Sequence, residues 1–194
     1  SCLQFIVMCF SIISAPKDGT ELSNLIYTAI RSEKTFSIRY PKGKCVKFNP
    51  LDDQCILEIG KWEQLAFGKD IALLAVGSMV EICMNIKDDL EKILNHKVTV
   101  INARYVKPLD SNLLNELSKS HRTIFTFEEG SIIGGFGSSI LQYFSNIDTE
   151  VKVYNKGIED NFIQHGTRDE LMEIAGLDEA SLISYIQRKI SNEK

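Results

Sequence analysis

The chain has 194 residues, of which 44% are hydrophobic and 25% charged, with a formal charge of −4. This is the composition of a globular protein of about one and a half domains, and it gives no electrostatic case for nucleic acid or an anionic membrane as partner. The five cysteines, Cys2, Cys9, Cys45, Cys55 and Cys83, include no C-x-x-C pair and are odd in number. They read as reduced thiols, packed as small hydrophobes in a reducing compartment.

Ser1 to Ala15 is apolar. It is too short for a membrane span, which takes roughly 20 residues, and lacks the basic flank and cleavage site of a signal peptide. Its end, Ser11–Ala15, reads as a strand of a parallel sheet buried on both faces, so more protein is expected to precede it. Pro16 closes the strand. Asp18 and Glu21 have capping-box spacing, and Leu22, Leu25, Ile26, Ala29 and Ile30 predict an amphipathic helix to about Arg31. Thr35–Tyr40 alternates, with Phe36, Ile38 and Tyr40 on one side and Ser37 and Arg39 on the other. That is a strand, and Pro41 and Gly43 end it. Two strands and a helix close no core alone, so residues 1–43 are expected to be the end of a larger sheet. Residues 44–58 have no period, contain Pro50 and Asp52-Asp53, and read as a linker.

Residues 59–194 then alternate regularly. A weak strand over Ile59–Phe67 precedes a strong one over Asp70–Val76. A helix over Met79–Leu94 turns Val80, Cys83, Ile86, Leu90 and Ile93 inward, and Lys97–Ala103 is a strand. Asp110 caps a helix carrying Leu113, Leu114 and Leu117. The strand Arg122–Phe127, a helix from Gly134 to Phe144 and the strand Val151–Tyr154 follow. Thr167 and Glu170 form a capping box for a short helix to Ala175, and Asp178 caps a last helix with Leu182, Ile183, Ile186 and Ile190 inward. The alternation predicts an α/β fold with a doubly wound, mostly parallel sheet.

Arg39 is the leading candidate site residue. It stands at the carboxyl end of an apolar strand, where open α/β sheets place their ligands, and its planar fork matches phosphate oxygens. An ion pair with a nearby carboxylate suits the same position equally well. Lys42, a mobile point charge beyond Pro41, is placed to assist. Gly134-Gly135-Phe136-Gly137 opens a helix as a pyrophosphate-binding turn does, but Ile140 stands where the third glycine of that fingerprint belongs; close packing of helix on sheet is the preferred reading. Glu128 and Glu129 are consecutive on an extended chain and point apart, so they share no proton; one of them is expected to pair with Arg104. His165, before a helix N-terminus, is a candidate acid or base or a capping residue. His96 and His121 end helices, a favourable position for a charged imidazole. No His, Cys and Asp spacing makes a metal site.

Seven runs occur in order: Ser14-Ala15-Pro16-Lys17-Asp18, Ile38-Arg39-Tyr40-Pro41-Lys42-Gly43, Ile59-Gly60-Lys61, Val76-Gly77-Ser78-Met79-Val80, the run from Asn102 to Asp110, Glu128-Glu129-Gly130 with Gly134 to Ser138, and the run from Gly157 to Gly166. Together they resemble the C-terminal third of the 1-deoxy-D-xylulose-5-phosphate synthase family, within the transketolase superfamily. The resemblance implies that residues 1–43 end a pyrimidine-binding domain for thiamine diphosphate, that 44–58 link, and that 59–194 form a transketolase C-terminal domain. It implies a transferase that condenses pyruvate with glyceraldehyde 3-phosphate, releases CO2, and serves non-mevalonate isoprenoid, thiamine and pyridoxol synthesis. Such an enzyme uses thiamine diphosphate and Mg²⁺ and works as a homodimer on small-molecule substrates, in the bacterial cytoplasm or a plastid-type organelle. Arg39 would bind the phosphate of glyceraldehyde 3-phosphate, with Lys42 where many members carry a second arginine. The family's diphosphate and Mg²⁺ motif, activating glutamate and catalytic histidines match nothing here, and Ser1–Phe10 departs from its pattern. No catalytic, cofactor or metal residue is therefore assigned, neither cofactor is expected to bind, and the 194 residues are expected to be inactive alone. The alternatives are a non-catalytic dimerisation or structural module and an independent nucleotide-binding domain on the Gly134 turn.

Overall fold

Two sheets organise the computed structural model, which describes residues 11–41, 48, 53–160 and 166–192. Lys42, His165, Cys2, Cys9 and Cys45 lie outside the described residues. The first unit is a βαβ turn. Strand β1 (Ile12–Ser14) pairs in parallel with β2 (Phe36–Ile38) from Ile12↔Phe36 to Ser14↔Ile38, and helix α1 (Gly19–Ser32) connects them. Asp18 caps α1 by accepting the Glu21 N–H at 2.8 Å. The Glu21 carboxylate does not complete a capping box; it accepts the Lys17 N–H at 2.7 Å and its other oxygen faces the second unit. The apolar stripe expected to be buried is only partly so. Leu25 is fully enclosed, whereas Ile26 is 44% and Ile30 73% exposed. At 100° per residue the apolar arc is wider than three short strands can cover.

Strand β6 (Tyr105–Lys107) was not legible in the sequence. It pairs antiparallel with β1, Ser14 opposite Tyr105, and gives a sheet of order β2-β1-β6. The Ala15 N–H extends that seam by donating to Arg104 O at 2.9 Å. Residues 53–58, expected to link, have no regular structure but lie along α1: the Cys55 and Leu57 N–H groups donate to Asn24 Oδ1 and Thr28 Oγ1 at 3.0 and 2.9 Å.

The second sheet has the order β3-β5-β4-β7-β8. Its strands are β3 (Glu63–Ala66), β4 (Asp70–Ala75), β5 (Thr99–Asn102), β7 (His121–Ser131) and β8 (Lys152–Ile158). All pairings are parallel except that of the edge strand β3 with β5. Strand β4 is apolar on both faces, and helices cover both, as a parallel sheet requires. On one face, Met79, Cys83, Ile86 and Leu90 of α2 (Met79–Leu94) and Leu182 and Ile186 of α6 (Glu179–Ser191) pack with Leu73, Val100, Phe125 and Phe127. On the other, Leu114 and Leu117 of α3 (Ser111–Ser120) and Phe136 and Ile140 of α4 (Phe136–Ser145) pack with Ala72, Leu74, Ile101 and Ile124. The chain is thus an α/β protein whose larger sheet is doubly wound. Ile93 is 47% exposed rather than inward: α2 is about 24 Å long and its last turn overruns strands of four to six residues. Helix α5 (Arg168–Ala175) carries the full capping box of Thr167 and Glu170. Cys83 is buried, its thiol pushed far up by desolvation, but Cys55 is exposed and is no packed hydrophobe. Among the described residues no helix is long and apolar enough to cross a membrane.

Candidate functional site

Strand β2 delivers Arg39 to the place where the two sheets' strand ends meet. Its N–H donates to Ser14 O at 2.9 Å and extends the parallel ladder one residue beyond Ile38. The side chain is exposed and makes no ion pair with another described residue. It lines two clefts. One, of about 630 Å³, runs from Ser14 and Glu128 to Ser139 and Tyr143 on α4. The other, of about 190 Å³, lies over Gly77, Ser78 and Glu129. The second cleft sits at the carboxyl ends of β4 and β7. From β4 the chain goes first to β5 on one side and then to β7 on the other, the switch in strand order beside which open α/β sheets bind ligands.

The two adjacent glutamates do point apart. Glu128 is 3% exposed, and its carboxylate accepts the Phe136 and Gly137 N–H groups at 3.0 and 2.9 Å. It is an internal anion on the positive end of α4. The amides that a pyrophosphate would need at the Gly134 turn are therefore already engaged. Gly137 serves packing instead: a Cβ there would lie 2.6 Å from both Thr126 Oγ1 and Asn155 Cγ. Glu129 turns the other way, accepting the Ser78 hydroxyl and the Arg168 guanidinium.

Arg104 pairs with neither, contrary to expectation. It follows β5, which lies across β4 from β7, and closer carboxylates take it. Its Nη2 is 2.6 Å from Glu63 Oε2, and its Nε makes a 2.9 Å ionic contact, without hydrogen-bond alignment, to Glu21 Oε1. Lys17 Nζ reaches Glu63 at 2.6 Å, and Asn102 Nδ2 reaches Glu21 at 2.8 Å and Glu63 at 3.3 Å. Burial alone would raise the Glu63 carboxyl, but hydrogen bonds from Lys17 and Asn102 and the charges of Lys17 and Arg104 outweigh it and hold it below the usual range. This network ties α1 to β3 and β5.

His121 is not a charged helix-end residue. It is 6% exposed, its Nε2 lies 2.8 Å from Thr99 Oγ1, and burial lowers its pKa, so it is neutral near pH 7. His96 does close its helix, 3.0 Å from Asp70 Oδ2. Sequence reasoning missed Ser14: its hydroxyl is fully buried, lines the larger cleft and has no hydrogen-bond partner among the described residues. A serine inside an apolar strand gives no signal of that kind.

Residues 60–182 match the family described as transketolase, C-terminal domain. The chain belongs to that family. Its α/β core and helix-covered parallel sheet are those of a transketolase-type C-terminal domain. The chain is 40% identical over 167 residues to the 1-deoxy-D-xylulose-5-phosphate synthase of Aquifex aeolicus, which takes in 86% of this chain and 26% of that protein. To the synthase of Clostridium tetani it is 37% identical over 177 residues, 91% of this chain and 28% of that one. The chain thus spans about a quarter of the length of these relatives, and the motif resemblance holds over nearly all of it. Among solved structures, a split gene transketolase described as an inactive β4 tetramer superposes with a TM-score of 0.79 at 25% identity, over 92% of this chain and 56% of that one. The transketolase of Campylobacter jejuni, at 17% identity and a TM-score of 0.67 over 96% of this chain and 27% of its own, shares the fold.

Proposed function

We propose that this transketolase-type chain is part of a 1-deoxy-D-xylulose-5-phosphate synthase. That enzyme condenses pyruvate with glyceraldehyde 3-phosphate with loss of CO2, in the bacterial cytoplasm or a plastid-type organelle, and Arg39 grips the phosphate of the aldehyde. The carrying observation is the identity of 40% to a synthase across 86% of the chain. The exposed guanidinium, unpaired among the described residues and at a sheet switch point, supports the role of Arg39, and the Ser14 hydroxyl in the same cleft, unpartnered among the described residues, supports a polar ligand there. Residues 1–43 would end the pyrimidine-binding domain, 44–58 would link, and 59–194 would form the C-terminal domain. Lys42 would assist Arg39.

Thiamine diphosphate supplies such an enzyme with an electron sink and Mg²⁺ holds its diphosphate, but the described residues of this chain offer neither group a fitting site. The amides at the start of α4 are taken by Glu128, and among the described residues no three His, Cys, Asp or Glu side chains are grouped to hold a metal ion. The part played by Arg39 and its neighbours is to bind and orient the phosphate.

Calorimetric titration with glyceraldehyde 3-phosphate tests the reading. Binding should weaken about tenfold in Arg39→Ala, the loss of a charge-assisted contact, and thiamine diphosphate with Mg²⁺ should give no binding heat. Equal affinity in wild type and variant, or appreciable cofactor binding, would count against it. A second reading, an assembly module without catalysis, is favoured by the split transketolase that is an inactive β4 tetramer. Sedimentation of the chain tests this second reading: self-association to a dimer or larger would support a dimerisation or assembly module, and a monomer would count against it.

A further inference from the structure

Arg39 does not stand alone at the cleft. Its guanidinium lies against the backbone of Gly130 in β7: a Cβ on Gly130 would sit 3.1 Å from Nη1 and 3.6 Å from Nη2 of Arg39, and 2.9 Å from Glu128 Oε2. The first and last of these are closer than a methyl group tolerates without movement. Of the two neighbours, Glu128 cannot yield. It is 3% exposed, two α4 amides fix its oxygens, and Gly135 closes in behind it, where a Cβ would come within 2.6 Å of Oε1. The far end of the exposed Arg39 side chain can yield. The missing side chain at 130 therefore keeps open the place that the guanidinium occupies, between a fixed carboxylate on one side and the clefts on the other.

We propose that Gly130 is a positioning residue for Arg39: its bare backbone, backed by the immobile Glu128 carboxylate, seats the guanidinium where it meets an anionic ligand. The inference rests on the phosphate-binding reading of Arg39 and adds a residue that neither motif chemistry nor the hydrogen-bond pattern assigns. The backbone of Gly130 is not in the left-handed region, so an alanine is sterically objectionable only through its methyl group. Gly130→Ala should move the guanidinium and, because the methyl also meets Glu128 Oε2 at 2.9 Å, press on the cap of α4 as well.

The test is a double-mutant cycle on the whole chain with inorganic phosphate as probe, followed by NMR through the Arg39 Nε–H resonance and, in variants without it, neighbouring amides. Gly130→Ala should shift the Arg39 resonance before phosphate is added and weaken phosphate binding to the folded chain about fivefold or more; a lowered urea midpoint is expected too, since the methyl also meets Glu128 Oε2. In the Arg39→Ala background the same substitution should cost nothing further, because residues that act through one another are not additive. Unchanged phosphate affinity in Gly130→Ala, or losses that add, would overturn the inference and leave the reading of Arg39 standing. Phosphate binding that ignores Arg39→Ala, or no saturable response in the wild type, would overturn both. Should Gly130→Ala not fold, the native chain decides: nuclear Overhauser contacts from the Gly130 α-protons to the Arg39 guanidinium are expected, and their absence counts against the seat.

Discussion

At His121 the imidazole is enclosed beneath α3 and bonded to Thr99 and Ser120. Burial lowers its pKa below the ordinary 6.5, against smaller opposing effects from the Leu117 backbone and the charge of Asp70. The unfolded chain therefore takes up a proton first as pH falls. Stability should be full above 6.5 and decline as pH drops from there toward the folded value. His121→Gln should flatten that part of the urea midpoint against pH profile, and a profile that is unchanged would exclude the buried neutral form. The sequence placed His121 at a helix end but not under the helix, because burial depends on where β7 and β4 run. Arg39 was legible for the opposite reason: a strand ended by proline leaves its last side chain at the rim whatever packs elsewhere. The partners of Arg104 were not, since Glu21 and Glu63 reach it only after three elements have packed.

Helix α4 owes its start to a strand. Glu128 supplies the acceptors that a serine or aspartate N-cap supplies elsewhere, while Gly135 at the N-cap contributes no side chain. Glu128→Ala would leave the Phe136 and Gly137 N–H groups buried without acceptors at about 1–3 kcal/mol each, so a loss of about 2–6 kcal/mol is expected from urea denaturation. Glu128→Gln, which keeps one acceptor oxygen, should lose less. Equal stability of all three chains would show that water replaces the carboxylate. The same contrast explains which elements could be read in advance. Helices α3, α5 and α6 carry their own caps in Asp110, Thr167 and Asp178 and were readable locally. Helix α4 begins two residues later than glycine spacing indicates because its cap comes from eight residues upstream. Strand β6, three residues long, exists only because β1 is there to pair with it.

Across the whole molecule, the network of Lys17, Glu21, Glu63, Asn102 and Arg104 ties α1 to the larger sheet. Removing one partner of a buried pair usually costs about 3–5 kcal/mol. Glu63 is 38% exposed and solvent screens its share, so Arg104→Met should cost about 2–3 kcal/mol, most of it from leaving the buried Glu21 short of charge. Glu63 has its folded pKa below 4.5. Its contribution is present above that value and lost as pH falls through the folded one; in Arg104→Met this acid-side slope should be shallower. A full-size slope in the variant would mean that Lys17 and Asn102 carry the interaction unaided.

The antiparallel seam between β1 and β6 has a practical corollary. Because the first unit is stitched to the second by backbone ladders and buried ions, the peptide over residues 53–58 is a tether rather than the hold between them. A chain nicked there by a protease should still fly as one particle of undiminished mass under native ionisation, and fall into two pieces only in denaturant.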